Sequence, residues 1–288
     1  MIEFKRTKLK LTILTFSLSL LGIGCAAGFL GALTGLGGGI IITPILVLFF
    51  HVDLHIAMGA SLIAVLATSS GTAVAYLKEG YTNLRIGLFL EVAAILGVFL
   101  GVYLTVLLSP AWISLIFGFV MVFSAYRTLR RNELIDFNES PSRLAVLLQL
   151  NDRYPTKQGY QSYTVQNIPI AFGLFGVAGI LSGLLGIGCG AVKVLAMDQA
   201  MRLPYKVSTT TSNFIMGITA ATSVGIYFAR GYINLHLAGP VMLGVLLGAL
   251  IGTKVLVKAE TKKLRLIFSL LAFVFAAQMI GRGIMGLF

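Results

Sequence analysis

Apolar residues run along this chain in long blocks parted by short polar breaks. The blocks cover Leu9 to Phe50, Ile56 to Leu77, Leu84 to Leu108 and Ala111 to Thr128. After a polar stretch they resume as Asn167 to Leu185, Ala191 to Met201, Val207 to Phe228, Ile233 to Val257 and Leu264 to Met285. Most approach or exceed the roughly 20 residues that a helix needs to cross a bilayer. A transmembrane barrel would instead show segments of about 10 residues with alternating polarity, and that alternation is absent. The pattern predicts an all-α, polytopic membrane protein. The first block is long enough for two helical segments, with the glycines from Gly35 to Gly39 as the natural break. Its second part, from Ile40 to Phe50, is short for a full crossing and reads as a half-helix or a tilted segment.

The blocks also repeat. The glycine-rich run from Gly28 to Gly39 returns as Gly179 to Gly190, and Gly35 and Gly186 stand 151 positions apart. The same spacing relates Ser61 to Ser212, Thr68 to Thr219 and Tyr76 to Tyr227. It relates Gly80-Tyr81-x-Asn83 to Gly231-Tyr232-x-Asn234, and Gly97 and Gly101 to Gly248 and Gly252. Shared spacing across loops and helices alike predicts two homologous helical repeats with glycine-broken helices, giving about 8–10 membrane segments. The expected division is 1–128 for the first repeat, 129–166 for a polar linker and 167–288 for the second. Within the linker, Leu144-Ala145-Val146-Leu147-Leu148 suggests one interfacial amphipathic helix.

Composition strengthens the membrane assignment. Of 288 residues, 57% are hydrophobic and 11% charged, with a mean hydropathy of +0.94. Soluble domains carry about 25% charged residues, so this chain lacks the polar surface to wrap a water-soluble globule. The net charge of +12 raises nucleic acid as a partner. The basic residues, however, sit in short clusters between apolar runs, where orienting charge belongs, and no nucleic acid is expected. Lys5, Arg6, Lys8 and Lys10 before an apolar run mimic a signal peptide, but the run is too long and its removal would destroy the first repeat. The positive-inside rule favours a cytoplasmic linker. Cys25 and Cys189 imply no disulfide framework and read as small packing residues.

The candidate chemistry gathers at the glycine clusters. Gly37, Gly38 and Gly39 interrupt a helix and leave backbone groups unpaired, which lipid tolerates only where they face protein or a wet cavity. The helix that resumes presents a partially positive end, suited to an anion. Gly188, Cys189 and Gly190 repeat the arrangement. The plainer alternative is close helix packing through small residues. Lys193, where the first copy has Ile42, adds a cation beside the proposed anion site. Glu91 and Asp198 are candidate coupling carboxylates, since ionisable groups at membrane depth are costly and usually functional. Against that, Asp198 can pair with Arg202 near the surface while Lys193 snorkels outward. Ser61 of the first copy corresponds to Ser212 in the hydroxyl-rich run Ser208-Thr209-Thr210-Thr211-Ser212-Asn213. There Thr211, Ser212 and Asn213 are candidate substrate ligands, with capping and interhelical hydrogen bonding as the alternative. His51 and His55, one turn apart with Asp53 between them, lack a third or fourth partner and read as a wet loop, so no metal is expected. Gly186-x-Gly188-x-x-Ala191 mimics a dinucleotide fingerprint, but no strand precedes it. No cofactor is expected.

Taken together, Gly-x-Gly-Gly-Gly, the short apolar segment with Pro44, Ala57-x-Gly59-x-Ser61 and the Gly-Tyr-x-Asn turn, all in two halves, resemble the sulfite exporter TauE/SafE family. The resemblance spans about residue 16 to 280 except the linker, and its motifs carry onto Gly35, Gly37, Gly38, Gly39, Pro44, Ser61, Gly186, Gly188, Gly190 and Ser212. It implies a plasma-membrane secondary carrier for sulfite, organosulfonates or related small anions, usually in the export direction. The second half departs from the pattern at Cys189, Lys193 and Leu195, which bears on the particular substrate. The expected partners are a small anionic substrate, the lipid bilayer and a coupling proton or ion, because no ATP-binding motif is present. Rival readings are an anion channel, a carrier of another small organic anion and a non-transport membrane assembly subunit. Saturable counter-transport separates a carrier from a channel. An embedded enzyme finds no nucleophile, base or metal constellation.

Overall fold

The structure is a computed structural model that describes residues 13–35, 37–129, 142–156, 159–256 and 261–287. The basic cluster of Lys5, Arg6, Lys8 and Lys10, together with Leu36, the linker charges Arg130, Arg131, Glu133, Asp136 and Glu139, and Lys258, lies outside the described residues.

Helix starts follow the polar breaks. The first half forms α1 (Ile13–Thr34), α2 (Gly39–Leu48), α3 (Leu54–Lys78), α4 (Leu84–Leu107) and α5 (Pro110–Leu129). Asp53 caps α3, its carboxylate accepting the backbone N–H groups of His55 at 2.9 Å and Ile56 at 3.4 Å. Asn83 caps α4 by accepting the Ile86 N–H at 3.0 Å. Such caps satisfy donors that the first helical turn leaves unpaired. The second half forms α7 (Ile168–Leu185), α8 (Gly190–Leu195), α9 (Tyr205–Ala229), α10 (Leu235–Leu256) and α11 (Thr261–Met285). Helices α2 to α5 and α8 to α11 begin 151 positions apart, pair by pair. The halves differ after α8, where a π-helical turn, Ala196–Ala200, takes the place of the continuous α2.

Six helices among the described residues are long and apolar enough to cross a membrane: the described spans within α1, α3, α4, α7, α9 and α10. Shorter apolar stretches occupy Gly39–Leu48, Pro110–Tyr126 and Ala272–Met285. Helix α4 turns an apolar stripe outward through Leu88, Val92, Leu96, Phe99, Tyr103 and Val106, a face that lipid can cover and water cannot.

The polar segment between the halves is not wholly helical. A short helix α6 (Arg143–Leu147) is followed by strands β1 (Asp152–Thr156) and β2 (Gly159–Tyr163), an antiparallel hairpin pairing Asp152 with Tyr163 and Thr156 with Gly159. The sequence reading expected one amphipathic helix there and no strands. These strands are short, mostly exposed and polar, so they lack the apolar alternation that marks a half-buried strand.

Helices of opposite halves interlock. Helix α1 packs along α10, α4 along α7, α5 along α11 and α3 along α9. Small residues permit the closest approaches. A side chain at Gly248 would meet the Cys25 carbonyl at 1.9 Å, and one at Gly101 the Ile180 carbonyl at 2.0 Å. These are backbone-to-backbone contacts that any larger residue would wedge apart.

Candidate functional site

The chain between α1 and α2 turns through two left-handed glycines, Gly35 at φ 73° and Gly37 at φ 74°. Between α7 and α8 it turns through Gly186 at φ 64°, Gly188 at φ 69° and Cys189 at φ 44°. L-residues adopt this region at a cost of about 1–2 kcal/mol, which explains glycine at four of the five positions. The two turns approach one another at the crossing of α3 and α9. A side-chain carbon built on Gly37 would lie 3.3 Å from Val65 and 3.4 Å from Met216, and one on Gly188 would lie 2.8 Å from Val65. Both side chains are buried, so the ground between the turns is apolar at that level.

Hydroxyls, phenols and one amide donate to backbone carbonyls at and beside the two turns. Ser61 donates to the Gly39 carbonyl at 2.9 Å. Ser212 donates to the carbonyl of Gly190 at 3.3 Å and, across the halves, to that of Gly35 at 3.0 Å. Tyr76 donates to the Ala32 carbonyl and Tyr227 to the Gly183 carbonyl, each at 2.9 Å. Asn213 adds its amide to the Ala32 carbonyl at 3.0 Å. The Gly38 N–H donates to Thr68 at 3.3 Å.

The second half carries the charge. Lys193 on α8 is fully buried, and its ammonium donates to a Glu91 carboxylate oxygen at 2.7 Å. It also donates to Thr219 on α9, whose hydroxyl in turn donates to the other Glu91 oxygen. The ammonium lies 5.7 Å from the centroid of Phe175 on α7, within reach of a cation–π attraction. Glu91 comes from the second turn of α4, so the triangle joins elements of both halves. A charge pair at this depth is tolerable because each ion satisfies the other and Thr219 closes the remaining geometry.

Sequence reasoning treated Lys193 and Glu91 as independent candidates, whereas the fold makes them partners. It did not select Thr219 as a ligand, although the match with Thr68 was the available signal. It also passed over Phe175, Tyr76 and Tyr227. Among the hydroxyl-rich residues, Ser212 and Asn213 reach the interhelical turns, while Thr211 accepts the Asn83 N–H at 3.0 Å. Thr210 bonds back to the carbonyl of Lys206 at 2.9 Å. The buried hydroxyls of Ser208 and Thr209 find no hydrogen-bond partner among the described residues. Asp198 lies buried on the π turn after α8. Among the described residues no group of three or more His, Cys, Asp or Glu could hold a metal ion. His55 instead stacks on Tyr232 with centroids 5.0 Å apart, and both cysteines are free.

The loop before α4 is anchored to the hairpin. Asn83 donates its amide to Tyr163 at 2.9 Å and to the Leu150 carbonyl at 3.1 Å. Burial pushes the Tyr163 phenol well above its ordinary range, the hydrogen bond from Asn83 opposing the shift in part.

Comparison with known proteins gives one consistent answer. The family profile described as "Sulfite exporter TauE/SafE" matches residues 20–279. The chain is 29% identical to "Probable membrane transporter protein YunE" of Bacillus subtilis (strain 168), covering 91% of this chain and 96% of the relative. It is 27% identical to "Probable membrane transporter protein YdhB" of the same organism, covering 81% and 85%. With "Probable membrane transporter protein MJ0441" of Methanocaldococcus jannaschii identity is 23%, covering 98% of each. No solved structure matches significantly. Proteins of the matched family are transporters rather than enzymes, and with six long apolar helices the chain is a multi-pass protein of the plasma membrane.

Proposed function

The chain belongs to the sulfite exporter TauE/SafE family, whose membership supports a general role in small-anion transport, and we propose that it is a secondary carrier of sulfur-containing anions such as sulfite or organosulfonates, acting chiefly in export. The substrate would bind where the two interhelical turns converge, in a central site shared by two homologous repeats, and alternating access would expose it to each side in turn. On this reading the repeats occupy 1–128 and 167–288, joined by the polar linker. The observation that carries the proposal is the buried ammonium of Lys193, set three residues after Gly190 and beside α9. A carrier for anions needs a fixed cation that lipid cannot neutralise, and ionisable groups at this depth are rarely retained without a task.

The hydroxyls of Ser61 and Ser212 and the amide of Asn213 support the same reading. They now hold backbone carbonyls, but as donors they can exchange those acceptors for the oxygens of a sulfite or sulfonate group. Thr209, buried and without a hydrogen-bond partner among the described residues, stands against Gly35. The test is uptake and efflux of labelled sulfite and labelled methanesulfonate in proteoliposomes. Saturable flux with counter-transport is expected, together with weaker anion affinity in Lys193→Ala. Unsaturated conductance would instead mean a channel, and unchanged affinity in that variant would remove Lys193 from the site.

A further inference from the structure

We infer that Glu91 and a substrate anion compete for the single ammonium of Lys193, so that anion entry requires a proton on Glu91 and the protein moves proton and anion together. The inference rests on the carrier reading above and adds the identity of the coupling group. Lys193 and Glu91 are both buried and joined at 2.7 Å, with Thr219 bonded to each. As it stands the triangle is electrically neutral. An anion that reached Lys193 while Glu91 stayed ionised would leave a net negative charge in a low-dielectric interior, where an unpaired ion costs several kcal/mol. Transfer of a proton to Glu91 removes that charge. The neutral carboxyl can still bond to Thr219, and the ammonium becomes the counter-ion of the substrate. When the anion leaves, Glu91 loses the proton and re-forms the pair. The balance is one proton and one negative charge per cycle, so transport of a monoanion is electroneutral. Net direction then follows the combined proton and anion gradients rather than the membrane potential.

The surroundings favour this assignment. Helix α7, which packs on α4, brings no ionisable side chain to Glu91 but only the ring of Phe175 to Lys193. Helix α9 carries Tyr205, Lys206 and Tyr227 near its ends, and Tyr227 is committed to the Gly183 carbonyl. Helix α4 itself adds Arg85 in its first turn, bonded to Gln149, and the outward-facing Tyr103. The elements beside Lys193 contribute Cys189 before α8, Asp198 on the following π turn, and Tyr126 near the end of α5. Glu91 is the carboxylate that holds the ammonium.

The experiment uses the full chain in proteoliposomes with an entrapped pH dye and labelled methanesulfonate, a strong-acid anion whose own charge does not titrate near neutrality; labelled sulfite is run in parallel. Wild-type influx should acidify the lumen and ignore an imposed membrane potential. On the alkaline side of the profile apparent affinity should fall about tenfold per pH unit, as a single linked proton requires. Glu91→Gln should bind the anion independently of pH and move net charge, so its flux should follow the potential. Because that variant leaves Lys193 without a carboxylate, a second one, Glu91→Gln with Lys193→Met, removes both ions; it should melt near the wild type and lose anion binding. Wild-type flux without proton movement, or a pH profile unchanged by Glu91→Gln, would overturn the coupling and leave the carrier reading standing. Absence of flux for both probes would overturn the carrier reading itself, and the inference with it.

Discussion

The two halves of this molecule carry equivalent positions with opposite chemistry. In the second half and its partner helix stand Lys193, Thr219 and Glu91. Their counterparts at the repeat spacing are Ile42, Thr68 and Met242. Ile42 is buried among apolar neighbours, Thr68 accepts a backbone N–H from Gly38, and Met242 is 39% exposed on α10. One half therefore uses its threonine to satisfy backbone at the interhelical turn, and the other uses the same threonine to bridge two ions. Helix starts recur at the same spacing in both halves, while the buried ion pair occurs at one of the two equivalent sets of positions. A single buried ion pair is tolerable, and a second at the equivalent positions would repeat its desolvation cost.

The comparison breaks most sharply at its charged corner. Glu91→Ala should cost about 3–5 kcal/mol by stranding Lys193, whereas Met242→Ala should cost under about 1 kcal/mol at a half-exposed site; thermal melts of detergent-purified protein would read both. Ile42→Lys, which puts a cation where Met242 stands in place of an equivalent of Glu91, should be as damaging as Glu91→Ala. If it folds like the wild type, the first half is wetter than its packing indicates.

The interhelical turns come next. Gly188→Ala should lose about 2 kcal/mol from its left-handed backbone and its close contact with Val65. Gly173→Ala, with open space around it in α7, should be neutral or stabilise by about 0.5–1 kcal/mol. Equal melting temperatures for the two variants would remove the special role of the turn. Ser212→Ala, losing a donor shared by two carbonyls, should cost about 2 kcal/mol, and Ser61→Ala, losing a single bond, about 1 kcal/mol.

A further small effect lies at the hairpin between the two halves. Tyr163→Phe should cost about 1 kcal/mol by leaving the Asn83 amide one acceptor short. Its phenol titrates higher folded than unfolded. The contribution is therefore present below the unfolded phenol's value of about 10 and lost as pH rises beyond it. Melts at rising alkaline pH should show a shallower decline in the variant than in the wild type.

Much of the fold was legible in the chain because bilayer crossing and helix periodicity are local properties. Polar breaks at Asp53 and Asn83 marked helix starts that proved to be capped by those residues. The glycines Gly97, Gly101, Gly179 and Gly183 stood out in the sequence through the repeat spacing alone, and which helices they bring together was not legible there. The hairpin escaped because its strands face mostly outward and carry no apolar alternation. The π turn at Ala196–Ala200 left no cue beyond the missing proline at Leu195.

The amino-acid order by itself determined a membrane-embedded helical chain whose motifs recur 151 positions apart, and it marked Lys193 and Glu91 as ions in apolar surroundings. Only the tertiary structure decided that these two are partners. They stand 102 positions apart on helices of different halves, and side-chain periodicity reports which face of a helix a residue occupies, never what that face meets. The meeting depends on α7 crossing α4 closely enough, through glycines, to bring α8 beside Glu91. That is a property of packed volumes in three dimensions.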